Sequence, residues 1–178
     1  MRAGPSHIMD RVPRPLRTLL PLAVAALLAV GVVLQTRDAA PAGASEARVV
    51  RVVDGDTILV RLGDGREERV RYIGIDTPES VKPNTPVQCF AKAASHENAG
   101  LVAGRRVRLV ADVEPRDRYG RLLAYVYREP DGTFVNAELV ARGFARPATF
   151  PPNVRFEARF AALAARAREA GRGLWRAC

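Results

Sequence analysis

The sequence predicts a β-rich α+β domain of five short strands and three helices, preceded by an N-terminal hydrophobic segment. Three observations carry that expectation. From Arg48 to Glu79 two apolar alternating runs flank a Gly-Asp-Gly turn. Later stretches place apolar residues at helical spacings of three and four. Ahead of both lies an uncharged run, Thr18 to Thr36, flanked by arginines.

The arginine-flanked run leads the chain. Arg2, Arg11, Arg14 and Arg17 precede it, its apolar part is Leu19 to Leu34, and Arg37 follows. A basic region, an apolar stretch and then small residues form the pattern of an export signal. Ala42-Gly43-Ala44 offers a cleavage site before Ser45, with Ala40-Pro41-Ala42 as a second. The run is slightly long for a signal peptide and slightly short for a spanning helix, so a cleaved signal and a retained anchor over residues 18–36 both stand. Either one leaves the positive charges inside and the domain outside the cytoplasm. Met1 and Met9 are alternative starts. The expected organisation is a signal or anchor with its linker over residues 1–44, then one domain over residues 45–178.

Residues 37–46, rich in Ala, Pro, Gly and Ser, read as linker. Glu46 to Val53 reads as a first strand. Ile58, Val60 and Leu62 then alternate with Leu59 and Arg61, and Val70 and Tyr72 alternate with Arg69 and Arg71, the period of half-buried strands. Gly63, Asp64 and Gly65 supply the turn between them. A hairpin centred near Asp64 pairs positions summing to about 128, which sets Asp56 opposite Tyr72 and beside Arg71. Asp76 lies just past the same end, so an acidic pocket of metal size with an arginine at its rim is expected.

Prolines at 78, 83 and 86 make a loop. Val87 to Ala103 reads as a helix with Phe90, Ala94 and Leu101 on one face and Gly104 at its end. Arg105 to Glu114 alternates Val107, Leu109, Ala111 and Val113 as a fourth strand, and Arg121 to Tyr127 is a fifth. A turn at Pro130-Asp131-Gly132 leads to a short helix near Asn136 to Arg142, closed by Gly143. Pro151-Pro152-Asn153 opens a last helix with Phe156, Phe160, Leu163, Ala167 and Ala170 on one face. Gly171 and Gly173 stop it, and Trp175 is expected to pack back on the domain. Five strands with a helix after the third is the order of an OB-type barrel, a fold that binds oligonucleotides across one face.

Composition agrees with a globular domain that meets a polyanion. Lys and Arg outnumber Asp and Glu by 28 to 19, for a net charge of +9. Without residues 1–44 the count is 23 against 17, still +6. Such a surface suits nucleic acid or an acidic membrane. All but Lys82 and Lys92 of the basic residues are arginines, so base composition of the gene also contributes. Two cysteines, Cys89 and Cys178, allow one pairing, which agrees with export to an oxidising compartment. Two separate thiols are the alternative. No zinc-spaced Cys or His cluster exists, His7 sits in the tail, and His96 lies inside a helix as a surface or satisfied residue. A histidine-based nuclease or a Ser-His hydrolase is therefore excluded.

Three short motifs carry chemistry together. They are Asp54-Gly55-Asp56-Thr57, the run from Arg71 to Asp76-Thr77-Pro78-Glu79, and Asp117-Arg118-Tyr119-Gly120-Arg121. In this order they resemble the signatures of the staphylococcal nuclease (thermonuclease) family, over about residues 46–176. The resemblance implies an OB barrel and a Ca²⁺-dependent phosphodiesterase of DNA and RNA whose products end in a 3′-phosphate. It implies Asp56, Asp76 and the Thr77 carbonyl as Ca²⁺ ligands, a hard oxygen set suited to that ion. Glu79 would orient or deprotonate the attacking water. Arg71 and Arg121 would grip the phosphate and its developing charge. Tyr119 would bond the terminal phosphate, with Arg118 where the family often has Lys. Asp54 stands either behind the ligands or as a plain turn former. One departure is that Ala148 and Phe150 occupy places where the family often has two tyrosines; Phe150 can still stack on a base. Lys82 is a further phosphate contact to test.

The reading is thus an exported or membrane-anchored monomeric nuclease acting on single-stranded or melted DNA and RNA. A catalytically silent nucleic-acid-binding module at the cell surface is the alternative class, and a metalloenzyme acting on another phosphodiester is a third. Retention of Asp56, Asp76 and Glu79 speaks against the silent module, since carboxylates facing a phosphate backbone are a liability unless a cation bridges them.

Overall fold

The computed structural model describes Met1, residues 44–79 and residues 86–178. The expected signal or anchor over residues 18–36, His7, and Pro83 with Lys82 lie outside the described residues; of the expected cleavage sites only Ala44, which opens the first strand, is described. Among the described residues no helix is long and apolar enough to cross a membrane.

The strands form where apolar and polar residues alternate. They are β1 (Ala44–Val52), β2 (Thr57–Leu62), β3 (Glu67–Tyr72), β4 (Ile75–Asp76), β5 (Arg106–Val110), β6 (Leu122–Arg128), β7 (Thr133–Phe134) and β8 (Arg146–Pro147). The helices are α1 (Ala91–Val102), α2 (Val135–Ala141), α3 (Glu157–Glu169) and α4 (Leu174–Ala177). The main sheet runs β3-β2-β1-β5-β6-β7, and a parallel pairing of β3 with β6 closes its first five strands into a barrel. The two-stranded β4–β8 ladder stands beside it. The expected five-stranded barrel is therefore present.

The hairpin register agrees with the turn-based expectation. Thr57 pairs with Arg71 and Ile58 with Val70, and the Tyr72 N–H donates to the Asp56 carbonyl at 2.9 Å. Inward positions Ile58, Val60, Val70, Tyr72, Val107 and Val126 fill the barrel. Tyr125, Phe134, Phe156 and Phe160 join it to α3 through ring contacts, the closest a 4.6 Å edge contact of Tyr125 with Phe156.

Several boundaries differ from those expected of the sequence, each for a local reason. β1 starts at Ala44 rather than Glu46, because Ala44 and Ser45 pair with Val110 and Leu109 of β5. The fourth strand ends at Val110, where that pairing stops, so Val113 is exposed. Beyond it Asp112 accepts from the Tyr125 hydroxyl and Glu114 exchanges two bonds with Asn153. α1 begins at Ala91 instead of Val87 because Phe90 sits at φ 70, outside any right-handed helix. Its ring stacks on Phe144, 5.2 Å between centroids. α3 begins at Glu157 after a turn through residues 151–156, and Ala164 rather than Ala170 belongs to its buried stripe. α4 is too short for any periodicity to announce it; its Trp175 does pack on the domain, with Arg168 over its ring at 4.5 Å.

Cys89 and Cys178 form a disulfide, with Cα atoms 6.0 Å apart and a sequence separation of 89. Closing a loop of that length contributes about 4 kcal/mol by chain entropy. It ties α4 and the chain end to the entry of α1.

A buried amide holds one of the irregular parts. Asn136 at the start of α2 accepts from the Val126 N–H and donates to the Ile73 carbonyl, both at 2.9 Å. It joins the β3–β4 turn to β6 and has no exposed surface. Asn136→Ala leaves both backbone groups buried without a partner, so unfolding free energy from urea titration should fall by about 2 to 4 kcal/mol. A loss below about half a kcal/mol would show that the amide is not a structural tie.

Candidate active site

The Asp-Gly-Asp-Thr turn between β1 and β2 places its carboxylates by local bonding. Asp54 accepts the Asp56 N–H at 3.0 Å, an Asx turn that points Asp56 away from solvent. The Asp54 carbonyl accepts from Asn98 of α1, whose own oxygen accepts the buried Tyr72 hydroxyl at 2.9 Å. Gly55 serves close approach rather than positive φ: a Cβ there would sit 2.5 Å from Thr77 Oγ1. Thr77 needs that proximity. Its N–H and hydroxyl both donate to Asp56 Oδ2, at 2.8 and 3.0 Å.

Arg71 crosses the floor of the same site. Its Nε lies 3.0 Å from Asp56 Oδ1 and its Nη2 donates to Asp76 Oδ1 at 2.8 Å. Its Nη1 donates to the carbonyls of Tyr72 and Ile75, both at 2.8 Å. Three of the five guanidinium N–H groups donate hydrogen bonds and Nε adds its ion-pair contact, so among the described residues one N–H on Nη2 remains for another acceptor. Arg121 is held differently. Asp117 takes its backbone N–H and its Nε, at 3.0 and 2.7 Å. Among the described residues its Nη groups carry no hydrogen bond, so the outer edge of that guanidinium is open.

These two arginines meet because β3 and β6 pair. Arg71 is opposite Leu123, and Val70 opposite Leu122, which directly follows Arg121. Asp54, Asp56, Asp76, Thr77, Glu79, Arg71 and Arg121 consequently line one polar cavity of about 200 Å³. All expected metal-ligand and catalytic positions line it, and Asp54, which forms the turn, lines it with them. A second cavity of about 410 Å³ adjoins it, with Arg71 and Arg121 in the lining of both. Arg118, Tyr119, Ala148 and Phe150 belong to this larger one. Tyr119 and Phe150 are 68% and 74% exposed, and a base stacked on their rings would cover that surface. Arg118 donates to the Tyr119 hydroxyl at 2.6 Å. His96 is exposed on α1, away from the chemistry, as expected.

Three further residues matter that no sequence motif singles out for a role. Gln88 clamps Glu79 at both backbone groups, accepting its N–H at 2.9 Å and donating to its carbonyl at 3.0 Å. It directly precedes Cys89 of the disulfide. Asp117 orders its loop and aims Arg121; it opens the Asp117–Arg121 motif, which gave it no role of its own. Arg146 of β8 pairs in register with Asp76, which no local pattern announces.

The site holds four carboxylates against two arginines, and the excess charge shows in its acids. Burial, then the charge of Asp56, pushes the Asp54 carboxyl up to about 6. Partial burial and then Asp56 raise Asp76 as well, although Arg71 opposes them. Among the described residues no three His, Cys, Asp or Glu side chains are gathered tightly enough to enclose a metal alone. The oxygen donors present, two carboxylates with a backbone carbonyl beside them and room for water, nevertheless fit a hard divalent ion that accepts irregular geometry.

Residues 69–177 match the family model described as Staphylococcal nuclease homologue. The chain is 51% identical over 108 residues to the Thermonuclease of Staphylococcus intermedius, covering 61% of this chain and 62% of that protein. It is 37% identical over 169 residues to the Thermonuclease of Staphylococcus hyicus, covering 91% and 98%. To Endonuclease YncB of Bacillus subtilis (strain 168) it is 44% identical over 108 residues, covering 60% of this chain and 50% of that protein. The matches to the first and third proteins thus span less than two thirds of their lengths.

The Asp54 carboxyl predicts a pH dependence. Its folded pKa of about 6 lies above the ordinary 3.8, so between those values the folded state binds the extra proton. Stability should therefore fall as pH rises from about 4 to about 6 and then level off. Asp54→Asn keeps an acceptor for the Asp56 N–H and removes the part of the decline that Asp54 causes. In chelator the variant should exceed the parent by about 1 to 2 kcal/mol at about pH 7, with the difference vanishing near pH ~4. Parallel stability curves for the two proteins would refute a raised Asp54.

Proposed function

The chain belongs to the staphylococcal nuclease family, and on that premise we propose that it is a Ca²⁺-dependent nuclease hydrolysing DNA and RNA. It would prefer single-stranded or melted substrate and leave 3′-phosphate ends. The observation that carries this reading is the shared wall of Arg71 and Arg121, between an acidic cavity and one rimmed by exposed aromatic rings. A strand with its base among Tyr119 and Phe150 sets a phosphate against those arginines, and a single strand leaves that base free to enter.

The roles follow from what each group has to offer. Arg121 presents an open fork to the phosphate, while Arg71 contributes its one remaining N–H and keeps Asp56 and Asp76 in place. Tyr119 and Arg118 meet the flanking phosphate. Glu79, held by Gln88, takes the proton of the attacking water as the water oxygen bonds to phosphorus. The P–O5′ bond breaks, O5′ takes a proton from solvent as Glu79 returns its own to solvent, and the products carry a 3′-phosphate and a 5′-hydroxyl. Asp56, Asp76 and the Thr77 carbonyl would hold Ca²⁺, which when bound offsets the negative charge on the phosphate oxygens.

The compartment is part of the proposal. The arginine-flanked run over residues 18–36 and the Cys89–Cys178 bridge both favour an exported domain, either released near Ala44 or anchored. Exposed apolar side chains such as Val87, Val113 and Val154 are scattered, which favours a monomer.

Glu79→Gln and Arg121→Gln should each lower kcat on a labelled single-stranded oligonucleotide by about 10²- to 10⁴-fold with an unchanged melting temperature. Omitting Ca²⁺ in the presence of chelator should abolish cleavage by the parent. Undiminished cleavage in chelator would remove Ca²⁺ from the mechanism, and tight binding without any cleavage would point instead to a silent nucleic-acid-binding module.

A further inference from the structure

A second concentration of charge lies outside both cavities, on the outer face of the barrel. Pairing registers put Arg106, Arg48 and Arg61 side by side across β5, β1 and β2. In the neighbouring row Arg51 and Arg69 flank Leu59. A bulge in β1 between Val49 and Arg51 keeps Arg51 in that row. Directly opposed like charges destabilise a sheet, and a folded domain has no reason of its own to collect them. Only Arg61 is answered, by Glu67 at 2.7 Å. Arg48, Arg51, Arg69 and Arg106 are exposed and have no ion-pair partner among the described residues.

The rows connect to the active site. Arg69 and Arg71 stand two residues apart on β3 and therefore on one face, about 6.6 Å apart along the strand. Arg71 ends that column inside the acidic cavity. No aromatic side chain belongs to either row, and the apolar members are Leu59 and its neighbour Val50. Such a face suits phosphates and not bases. It also lacks the large apolar side chains with which a membrane-binding surface enters lipid.

We propose that this arginine face is a track for the phosphate backbone of a single nucleic-acid strand running away from the scissile bond. It deepens the nuclease reading and rests on it. The track gives affinity for long strands without sequence preference, since each arginine it offers displaces counterions wherever the strand lies.

The test compares a thymidine 30-mer with a trimer, which is too short to leave the cavities. Binding is measured by fluorescence anisotropy in Ca²⁺ in a Glu79→Gln background, and kcat/KM is measured with Glu79 intact. Replacing Arg48, Arg51, Arg69 and Arg106 by Gln should weaken 30-mer binding about 10- to 100-fold and reduce the slope of log K against log salt by about 2 to 3. Trimer kcat/KM should stay the same. The pair Arg48→Gln and Arg106→Gln, a milder change, should give about half the loss of slope. Equal losses for trimer and 30-mer, or no loss for either, would overturn the track. So would loss of binding to anionic phosphatidylserine vesicles with 30-mer affinity retained, which would make the face a membrane surface. Salt-dependent 30-mer binding that requires these arginines, in a parent that cleaves neither oligonucleotide, would uphold the track while the nuclease reading fails.

Discussion

Closure of the barrel is the constraint on which the rest depends. Three residue pairs between β3 and β6, Val70 with Leu122, Arg71 with Leu123 and Tyr72 with Ala124, turn an open sheet into a barrel. They also remove the free edge that β3 would otherwise present. Everything chemical gathers at the end of that seam. Arg71 arrives on β3, Arg121 arrives one residue before β6, and the Asp54–Thr57 turn arrives because Thr57 pairs with Arg71. The two cavities lie on either side of these arginines, so both are shaped by the same short run of strand pairing.

The site is built to carry more negative charge than its own arginines balance, and the fold supports it with neutral amides. Asn98 ties the Asp54 turn to the Tyr72 hydroxyl at the floor of the barrel, and Asn136 ties the turn after β3 to β6. Both amides are themselves fully buried, where a missing partner is costly. Asp56 is the most committed acid, with Arg71 on one oxygen and Thr77 on the other. The raised acids, Asp54 and Asp76, are its neighbours. A polyanionic substrate approaching such a cluster needs positive charge nearby, and the arginine-rich outer face lies on the same side of β3.

Glu79 illustrates how distant parts converge on one side chain. Its strand end is set by β4, its backbone by Gln88, and Gln88 stands next to a cysteine bridged to the C-terminal residue. α4 and Trp175 therefore belong to the support of the site although they line neither cavity.

Much of the barrel is legible in the order of its residues, because strand alternation and turn chemistry are local. The Gly63–Gly65 turn sets the hairpin register, and with it the contact of Arg71 with Asp56. The three motifs contain every lining residue of the acidic cavity, because each motif places its residues within a few positions of one another. Departures cluster where a local pattern outlasts its partner. Val113 continues the alternation of β5, but among the described residues no strand pairs with it. Val87 to Phe90 continue a helical composition, yet the left-handed Phe90 holds the start of the helix at Ala91. The amino-acid order thus determined element types, the hairpin and the inventory of charged groups, all governed by sterics and period over short stretches of chain. Arg121 beside Arg71, Arg146 opposite Asp76, Gln88 on Glu79 and the alignment of arginines from β1, β2, β3 and β5 depended on long-range pairing. Most of those contacts join residues far apart in the chain, and only closure of the chain on itself selects them.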